Sequence, residues 1–315
     1  NIDVSPLYAK EIFSPSSLYA AMKAILYYRF IYRLKLNNVK IRSFVNFFEN
    51  QIFDKALHKG VSDYFPKARN VGYEGYSPVT RYYCSFPTQY EHNCGVLPDI
   101  LALPGQGYIS YVDQFVSDIE TIVVPHLRGS SMYKYIHSKK SHNIFRVIIA
   151  LPHIRTDWSY FIKIALRLHS VFGNRIEILI KPHPIINSRF LEELIEKNDC
   201  ADSITISEGN IPSLLIRSNL LISTASGTLI ESISLGTPAA LIRMPYRFLF
   251  NPIPSTISRS FWRVCDDTDA LIQYVSELID EREEDVYNRV ELSSSLLKKF
   301  YEPVTAQGIG KFLEI

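Results

Sequence analysis

This 315-residue sequence has few residues of the kinds that link a chain covalently or through a metal. The four cysteines, at positions 84, 94, 200 and 265, are scattered and form no CxxC pair. Their scarcity argues against a disulfide framework and favours a reducing, cytoplasmic location. Histidine and cysteine show no metal-ligand spacing either, so we expect no metal cofactor.

Long apolar runs and a strong excess of charge are also lacking. No stretch of 18 apolar residues predicts a membrane-spanning helix. A net charge of only +2 argues against nucleic acid as a partner. There is no P-loop and no GxSxG motif, and residues 1–5 contain neither Met nor a signal-peptide pattern, as in a trimmed chain. With 47% hydrophobic residues, the sequence predicts a folded protein long enough for two domains.

The second half of the chain alternates apolar runs with segments of helical spacing. FRVIIAL (145–151) and IEILI (176–180) are continuous apolar runs, as expected of buried parallel strands. The alternation continues to residue 300 and predicts a doubly wound α/β sheet. The predicted strands are 145–151, 176–180, 203–206, 220–223 and 238–242, and the predicted helices are 157–172, 190–196, 211–217, 228–235, 271–278 and 290–300.

The first half predicts a second α/β unit, whose pattern fits a domain that lacks its first strands. We expect an N-terminal Rossmann-like domain over 1–142, a polar linker at 138–143 and a C-terminal Rossmann-like domain over 143–300. A last helix within 301–315 would cross back to the N-terminal domain. The predicted helices are 16–36, 53–65 and one after Gly107, and the predicted strands are 41–48, 70–73, 99–103 and 121–124.

Lys181-Pro182-His183-Pro184 directly follows the predicted strand 176–180. Ligands of open parallel sheets bind at the carboxyl ends of the strands. The two prolines stiffen the backbone around His183, whose ring can donate to a phosphate, and Lys181 adds positive charge. The alternative is a turn punctuated by proline, in which His183 caps a helix.

A second loop, STASGT (223–228), follows the strand 220–223. Small hydroxyl residues and a glycine let backbone N–H groups approach an anion, and Glu231, one turn later, can accept hydrogen bonds from a ribose. The alternative is an ordinary strand–loop–helix joint, in which Gly227 serves tight packing. Together the two loops predict a nucleotide pocket formed by Lys181, His183, Pro184, Ser223, Thr224, Ser226, Gly227, Thr228 and Glu231.

KPHP followed by STASGTLIESISLGTPAALI resembles the C-terminal domain of GT-B glycosyltransferases. The resemblance is to bacterial capsule and O-antigen enzymes that use CMP-activated acidic sugars, such as the Kdo transferases, and more distantly to bacterial sialyltransferases. ENQ (49–51), NPIP (251–254) and WRV (262–264) agree with it. The resemblance implies two Rossmann-like domains that face each other across a cleft, a CMP-linked Kdo or nonulosonate donor, and a glycan or lipid-linked glycan acceptor.

The resemblance also implies that Asp157, in the loop after strand 145–151, acts at the anomeric carbon of the donor. In such Kdo transferases an Asp occupies this loop in a Q-x-x-D-x-S-like setting, and Asp157 and Ser159 match it. The alternative follows from the residue type alone, because Asp is a preferred N-cap and a helix is predicted from Trp158.

Two glutamates follow predicted strands of the N-terminal half. Glu49 ends strand 41–48 and would take a proton from the acceptor hydroxyl in the cleft. The alternative is that Glu49 caps the helix that starts near Phe53. Glu74, in the segment GYEGY (72–76), is a second candidate for the cleft.

The tripeptide Asp267-Thr268-Asp269 spells DxD, a metal-binding and nucleotide-sugar motif of another glycosyltransferase fold. It precedes a predicted helix (270–278), and acids are favoured in a first helical turn, so we interpret it as a cap. The sequence therefore predicts metal-independent transfer. His153 and His169 are predicted to be packing or surface residues.

Residues 20–42 form a basic segment without an acid and with several aromatic side chains. A helix of this kind can lie on an anionic membrane, here at the inner face of the cytoplasmic membrane. The alternative is a solvated basic face above a core stripe.

The two loops predict a nucleotide pocket, and the resemblance implies a metal-independent GT-B glycosyltransferase that moves an acidic sugar from CMP to a growing bacterial surface glycan. Three alternatives stay open. They are a CDP-glycerol-type polyol phosphotransferase, a sugar-nucleotide 2-epimerase and a glycan-binding module without activity.

Overall fold

The computed structural model describes residues 3, 5–77, 85–135, 144–185, 189–198 and 204–314. Contacts divide the chain into two compact units. The first consists of Asn1–Tyr76, Tyr82–Arg128 and Tyr301–Ile315, and the second of Ser77–Arg81 and Gly129–Phe300. The predicted linker at 138–143 lies outside the described residues, and the functional roles expected of 1–142 and 143–300 stay predictions.

Both units alternate parallel strands with helices. The strands are β1 (Ser43–Phe47), β2 (Arg69–Tyr73), β3 (Ile100–Leu103), β4 (Glu120–Val123), β5 (Phe145–Ala150), β6 (Ile176–Lys181), β7 (Thr205–Ile206), β8 (Leu220–Ser223), β9 (Ala239–Ile242) and β10 (Trp262–Cys265). The helices are α1 (Ser5–Ile12), α2 (Pro15–Leu36), α3 (Ile52–Tyr64), α4 (Gln89–Asn93), α5 (Ile109–Val112), α6 (Trp158–Phe172), α7 (Arg189–Lys197), α8 (Ile211–Leu215), α9 (Thr228–Ser234), α10 (Thr268–Ile279), α11 (Glu283–Phe300) and α12 (Ala306–Leu313).

The first unit contains a four-stranded parallel sheet in the order β1-β2-β3-β4. The inner strands β2 and β3 are buried almost throughout, whereas exposed and half-buried residues alternate along the edge strand β1. Helix α12 packs on this sheet through Phe312, which joins Val71 and Tyr73 in one buried cluster, and Arg69 Nη1 donates to Phe312 O at 2.7 Å. The end of the chain is therefore part of the first unit.

Helices α2 and α3 pack closely against each other beside β1. The N-terminus of α2 is capped by Ser14, whose Oγ accepts from Ser17 N at 3.1 Å, and Pro15 occupies the first turn. A Cβ added at Gly60 of α3 would lie 3.0 Å from the Cβ of Ile31. The glycine thus permits the close approach that buries Ile31 completely.

The second unit contains a six-stranded parallel sheet in the order β10-β9-β8-β5-β6-β7. The chain builds outward from β5 through β6 to β7, then returns to the other side of β5 for β8, β9 and β10. This is the strand order of a Rossmann fold, and its switch point lies between β5 and β8. The largest buried cluster of this unit joins the strands to α6 through side chains such as Trp158, Phe161 and Ile162.

Every strand and helix predicted from the sequence is present, with ends shifted by at most about three residues except in α11, which begins seven residues before the predicted start at residue 290. Helices α1 and α4 and strand β10 were not predicted, and the five residues of α4 are too few to show a helical period. Among the helices of the described ranges, none combines the length and apolarity needed to cross a membrane.

Candidate functional site

Three loops of the second unit begin at the same level of the sheet, on both sides of its switch point. Ala150 at the end of β5 pairs in register with Lys181 of β6, and Ile149 pairs with Ile222 of β8. The residues that follow these strands therefore lie side by side at the carboxyl edge. Ligands of this fold bind at that edge and at the switch point.

His183, after β6, lies beside His153, which follows β5. The two ring centroids are 6.0 Å apart and the rings meet edge to face. His183 is half buried, and its Nδ1 accepts from Ile185 N at 3.4 Å, whereas His153 is exposed. The sequence analysis interpreted His153 only as a packing or surface residue and did not predict this contact. The contact could have been predicted, because Pro-His follows shortly after both β5 and β6 and the two strands pair in register.

Lys181, at the end of β6, is half buried and is directed across the sheet edge. Its Nζ donates to Glu208 O at 3.4 Å, in the loop after β7. Pro184 is exposed beyond it. The KPHP segment thus connects the β6 and β7 loops at the carboxyl edge.

The hydroxyl groups of the β8 loop make different hydrogen bonds. Ser223 is buried, and its Oγ donates to Ala150 O at 3.0 Å, which ties β8 to β5 across the switch point. Ser226 Oγ accepts from Thr228 N at 3.3 Å and from Thr228 Oγ1 at 2.8 Å, at the start of α9. Thr224 is half buried within the loop. Ser223 therefore anchors the start of the loop to β5, and the hydrogen bonds between Ser226 and Thr228 stabilise its end at the start of α9.

Gly227 lies where the β8 loop would also accept a side chain. Its φ of −58° is accessible to any residue, and an added Cβ would meet only Ser77, at 3.7 Å. The tight-packing alternative for this glycine is therefore wrong. Glu231 is half buried in the first turn of α9.

Asp157 pairs with an arginine that the sequence analysis did not single out. It ends a 3₁₀ turn and occupies the N-cap position of α6, but its φ and ψ are helical and its side chain makes no capping hydrogen bond, so the capping role is wrong. Instead its Oδ1 accepts from Arg247 Nη2 at 2.8 Å. The side chain of Asp157 is 8% exposed and that of Arg247 is 41% exposed.

Arg247 belongs to the loop after β9, which lines a surface cavity of about 480 Å³. The loop is unusual in its backbone, because Tyr246 has a φ of 61°, in the left-handed region that non-glycine residues seldom adopt. The cavity is lined by Arg243, Met244, Pro245, Tyr246, Arg247, Phe248 and Asp266.

Glu49 lies beyond β1 in the first unit, with an exposed side chain. Neighbouring residues remove part of the water around the carboxyl group, and this desolvation raises the pKa of Glu49. The charge of Asp54 raises it further. The cap of α3 is formed by Gln51 and Asp54, whose Oδ2 accepts from the backbone N–H groups of Gln51 and Glu49, each at 3.0 Å. The alternative that the Glu49 side chain caps this helix is therefore wrong.

Glu74, the second candidate in this unit, has the more perturbed carboxyl group. It follows β2 and is completely enclosed, and burial raises the pKa of Glu74 to about 8. Its Oε1 has no hydrogen-bond partner among the residues that the structure describes. Burial, and then the charges of Glu74 and Glu49, raise the pKa of Tyr76. A carboxyl with this pKa is protonated at neutral pH.

The DxD segment is a helix cap. Asp267 Oδ1 accepts from Ala270 N at 2.8 Å at the start of α10, which confirms the interpretation from the sequence. Within the described ranges, no group of three or more His, Cys, Asp or Glu residues could hold a metal ion. The WRV segment (262–264) lies in the edge strand β10, separated from β5 by β9 and β8.

No protein-family model matches the chain, and no curated protein matches it. Solved structures do match over most of its length. MnaA of S. aureus in complex with UDP has a TM-score of 0.59 at 14% identity, over 94% of this chain and 79% of that one. UDP-GlcNAc 2-epimerase from Neisseria meningitidis bound to UDP-GlcNAc gives 0.54 at 15%, over 90% and 79%. A variant of the wall teichoic acid polymerase TagF soaked with CDPG gives 0.54 at 12%, over 88% and 72%.

These similarities establish the fold. Two parallel-sheet, Rossmann-like α/β domains form the GT-B architecture of those structures, as the sequence predicted.

Proposed function

We propose that this protein is a metal-independent GT-B glycosyltransferase that moves an acidic sugar from a CMP-activated donor to a growing bacterial surface glycan. The observation that carries the proposal is the alignment of the β5, β6 and β8 loops at the switch point of the second sheet. This edge presents imidazole, ammonium and hydroxyl groups, which suit a nucleotide phosphate.

In this proposal the donor phosphate binds His183, Lys181 and the β8 loop, and Glu231 binds the ribose. The absence of a side chain at Gly227 lets the donor approach the backbone of that loop. His153 joins the set, because its ring lies against that of His183. Electrostatic fixing of the departing phosphate would contribute much of the rate.

Asp157 acts at the anomeric centre, and Arg247 positions its carboxylate through the 2.8 Å hydrogen bond. An acidic sugar carries a carboxylate of its own, and the partly exposed guanidinium of Arg247 is suited to attract it. Glu49 takes the proton of the acceptor hydroxyl, a role for which its raised pKa is appropriate.

A thermal-shift screen with CMP, CDP, UDP and GDP tests the donor class. A ligand at a hundred times its Kd stabilises the folded state by about 2.7 kcal/mol, which raises the melting temperature by several degrees. We expect CMP or CDP to give this shift and UDP and GDP to give none. A response to GDP alone, or to no nucleotide, would contradict the proposal.

A sugar-nucleotide 2-epimerase is the second candidate. It is favoured by the similarity to MnaA with UDP and to a UDP-GlcNAc 2-epimerase. The two glutamates that follow the paired strands β1 and β2 would then exchange the proton of the epimerised carbon. Stabilisation by UDP but not by CMP or CDP would favour this candidate over the transferase.

A further inference from the structure

Helix α2 has apolar side chains on two opposite faces, and only one of them packs against the protein. The inner face lies on α3, where Ala24 and Ile31 are buried. The aromatic rings of Tyr28 and Tyr64 add to this contact, with centroids 5.3 Å apart. Packing on α3 therefore explains the inner face and leaves the other one without a partner among the described residues.

The outer face of α2 is a continuous apolar surface. Leu18, Met22, Ile25 and Leu26 follow the i, i+4, i+7, i+8 spacing of one helix face. Scattered exposed apolar residues are normal on a protein, but a contiguous patch marks an interaction surface. The outer face comprises Leu18, Tyr19, Met22, Ile25, Leu26 and Phe30, each more than 50% exposed, and Ile12 and Phe13 extend it at the end of α1.

The charges that α2 itself contributes are all positive. Helix α2 contains four basic residues and no acid. Arg29 and Arg33 continue the spacing of Met22 and Leu26, so they lie on the outer face, and both are exposed. The acid that lies nearest in sequence, Glu11 of α1, accepts from Ser17 Oγ at 3.0 Å. The patch thus combines apolar insertion with a cationic flank.

We propose that the outer face of α2 docks on an anionic lipid surface, with the helix lying in the plane of the interface. Apolar side chains beside Lys and Arg match the two layers of such a surface, acyl chains below anionic headgroups. A second copy of the chain is a poorer match, because its α2 contains no acid that could pair with these arginines.

Vesicle co-sedimentation of the full chain tests the proposal, with phosphatidylcholine vesicles and with vesicles that also contain phosphatidylglycerol. We expect at least tenfold tighter binding to the anionic vesicles and a loss of that preference at high salt. The double variant Arg29→Gln/Arg33→Gln should bind them roughly 30-fold more weakly, at about fivefold for each cation. The double variant Met22→Ser/Leu26→Ser should bind these vesicles at least roughly tenfold more weakly than the parent.

The control is the double variant Tyr287→Ser/Leu292→Ser, which removes two equally exposed apolar side chains from α11 and should bind like the parent. All variants should have the same melting temperature as the parent, because the substituted side chains are exposed. Three results would overturn the proposal: no vesicle binding, equal binding to both vesicles, or self-association in light scattering that Met22→Ser/Leu26→Ser abolishes. No donor or acceptor enters the assay, so its outcome is independent of the nucleotide screen.

Discussion

The Oδ1 atom of Asp157 accepts a hydrogen bond from Arg247 Nη2 at 2.8 Å, across 90 residues of sequence. The pair joins the loop after β5 to the loop after β9, on the same side of the second sheet as the switch point. Asp157 is nearly enclosed whereas Arg247 is partly exposed. This asymmetry fixes the carboxylate in one orientation and leaves the guanidinium accessible to an anion.

Replacing Asp157 by Asn should abolish transfer and leave the fold intact. Asparagine keeps an Oδ1 acceptor for Arg247, and Arg247 is partly exposed, so we expect the melting temperature to change by no more than a few degrees. The amide is a far poorer nucleophile than the carboxylate, so turnover should fall nearly to zero. If Asp157 forms a covalent glycosyl-enzyme, intact-protein mass spectrometry with donor will show an added sugar on the parent only.

Asp266 offers a matched control for this variant. It pairs with Arg243, whose Nε lies 2.5 Å from its Oδ1, in the cavity that Arg247 also lines, and both side chains are exposed. Asp266→Asn should therefore keep turnover. Parent-like turnover by Asp157→Asn would end the proposed role of this residue.

Replacing His183 by Ala should weaken nucleotide binding without unfolding the protein. A charge-assisted hydrogen bond contributes roughly 1.5–3 kcal/mol, so we expect Kd to rise roughly 10- to 150-fold in isothermal titration calorimetry. His169→Ala, in the last turn of α6 and thus away from the carboxyl edge, is the control and should bind normally. Unchanged affinity in His183→Ala would show that His183 does not bind the nucleotide and serves only in the turn.

The fold was predictable from the sequence because hydrophobic periodicity is local. FRVIIAL and IEILI became β5 and β6 almost residue for residue. The edge strand β10 was missed because it has only four residues, one of which is an arginine. Short edge strands carry too few residues for periodicity to identify them.

The candidate site was predictable only where its residues follow predicted strands. His183, Ser226 and Glu49 were found in this way, and His153 could have been found, because Pro-His follows both β5 and β6. Arg247 could not, since its partner lies 90 residues away and no local pattern connects the two. The enclosure of Glu74 is likewise a tertiary property.

The cap at Asp267 gives a prediction about metal dependence. Asp267→Ala removes the acceptor for Ala270 N and should lower the free energy of unfolding by about 1 kcal/mol, while Asp267→Ser should restore most of it. Neither variant should change kcat, and EDTA should leave turnover unaffected. Loss of turnover in EDTA with recovery on added magnesium or manganese would show that the proposal of metal-independent transfer is wrong.

The buried carboxyl of Glu74 should make stability depend on pH in a definite direction. Its pKa is about 8 in the folded protein against an ordinary value of 4.5, so between these values the folded state binds the proton more tightly than the unfolded chain does. The stabilisation from this proton is fully present below pH 4.5 and is lost as the pH rises to about 8. Because one pKa unit corresponds to about 1.4 kcal/mol, the loss is on the order of several kcal/mol.

Glu74→Gln isolates this contribution, because the amide is neutral at every pH. In urea unfolding at a series of pH values, we expect the variant to gain stability relative to the parent from pH 5 to pH 8 and to level off above it. Other titrating groups, including Glu49 and the buried His126, are present in both proteins and cancel in the difference. Glu120→Gln, which replaces an exposed glutamate at the start of β4, is the control. A constant difference between Glu74→Gln and the parent would mean that Glu74 is already ionised at pH 5, and it would remove this residue from the candidate proton donors.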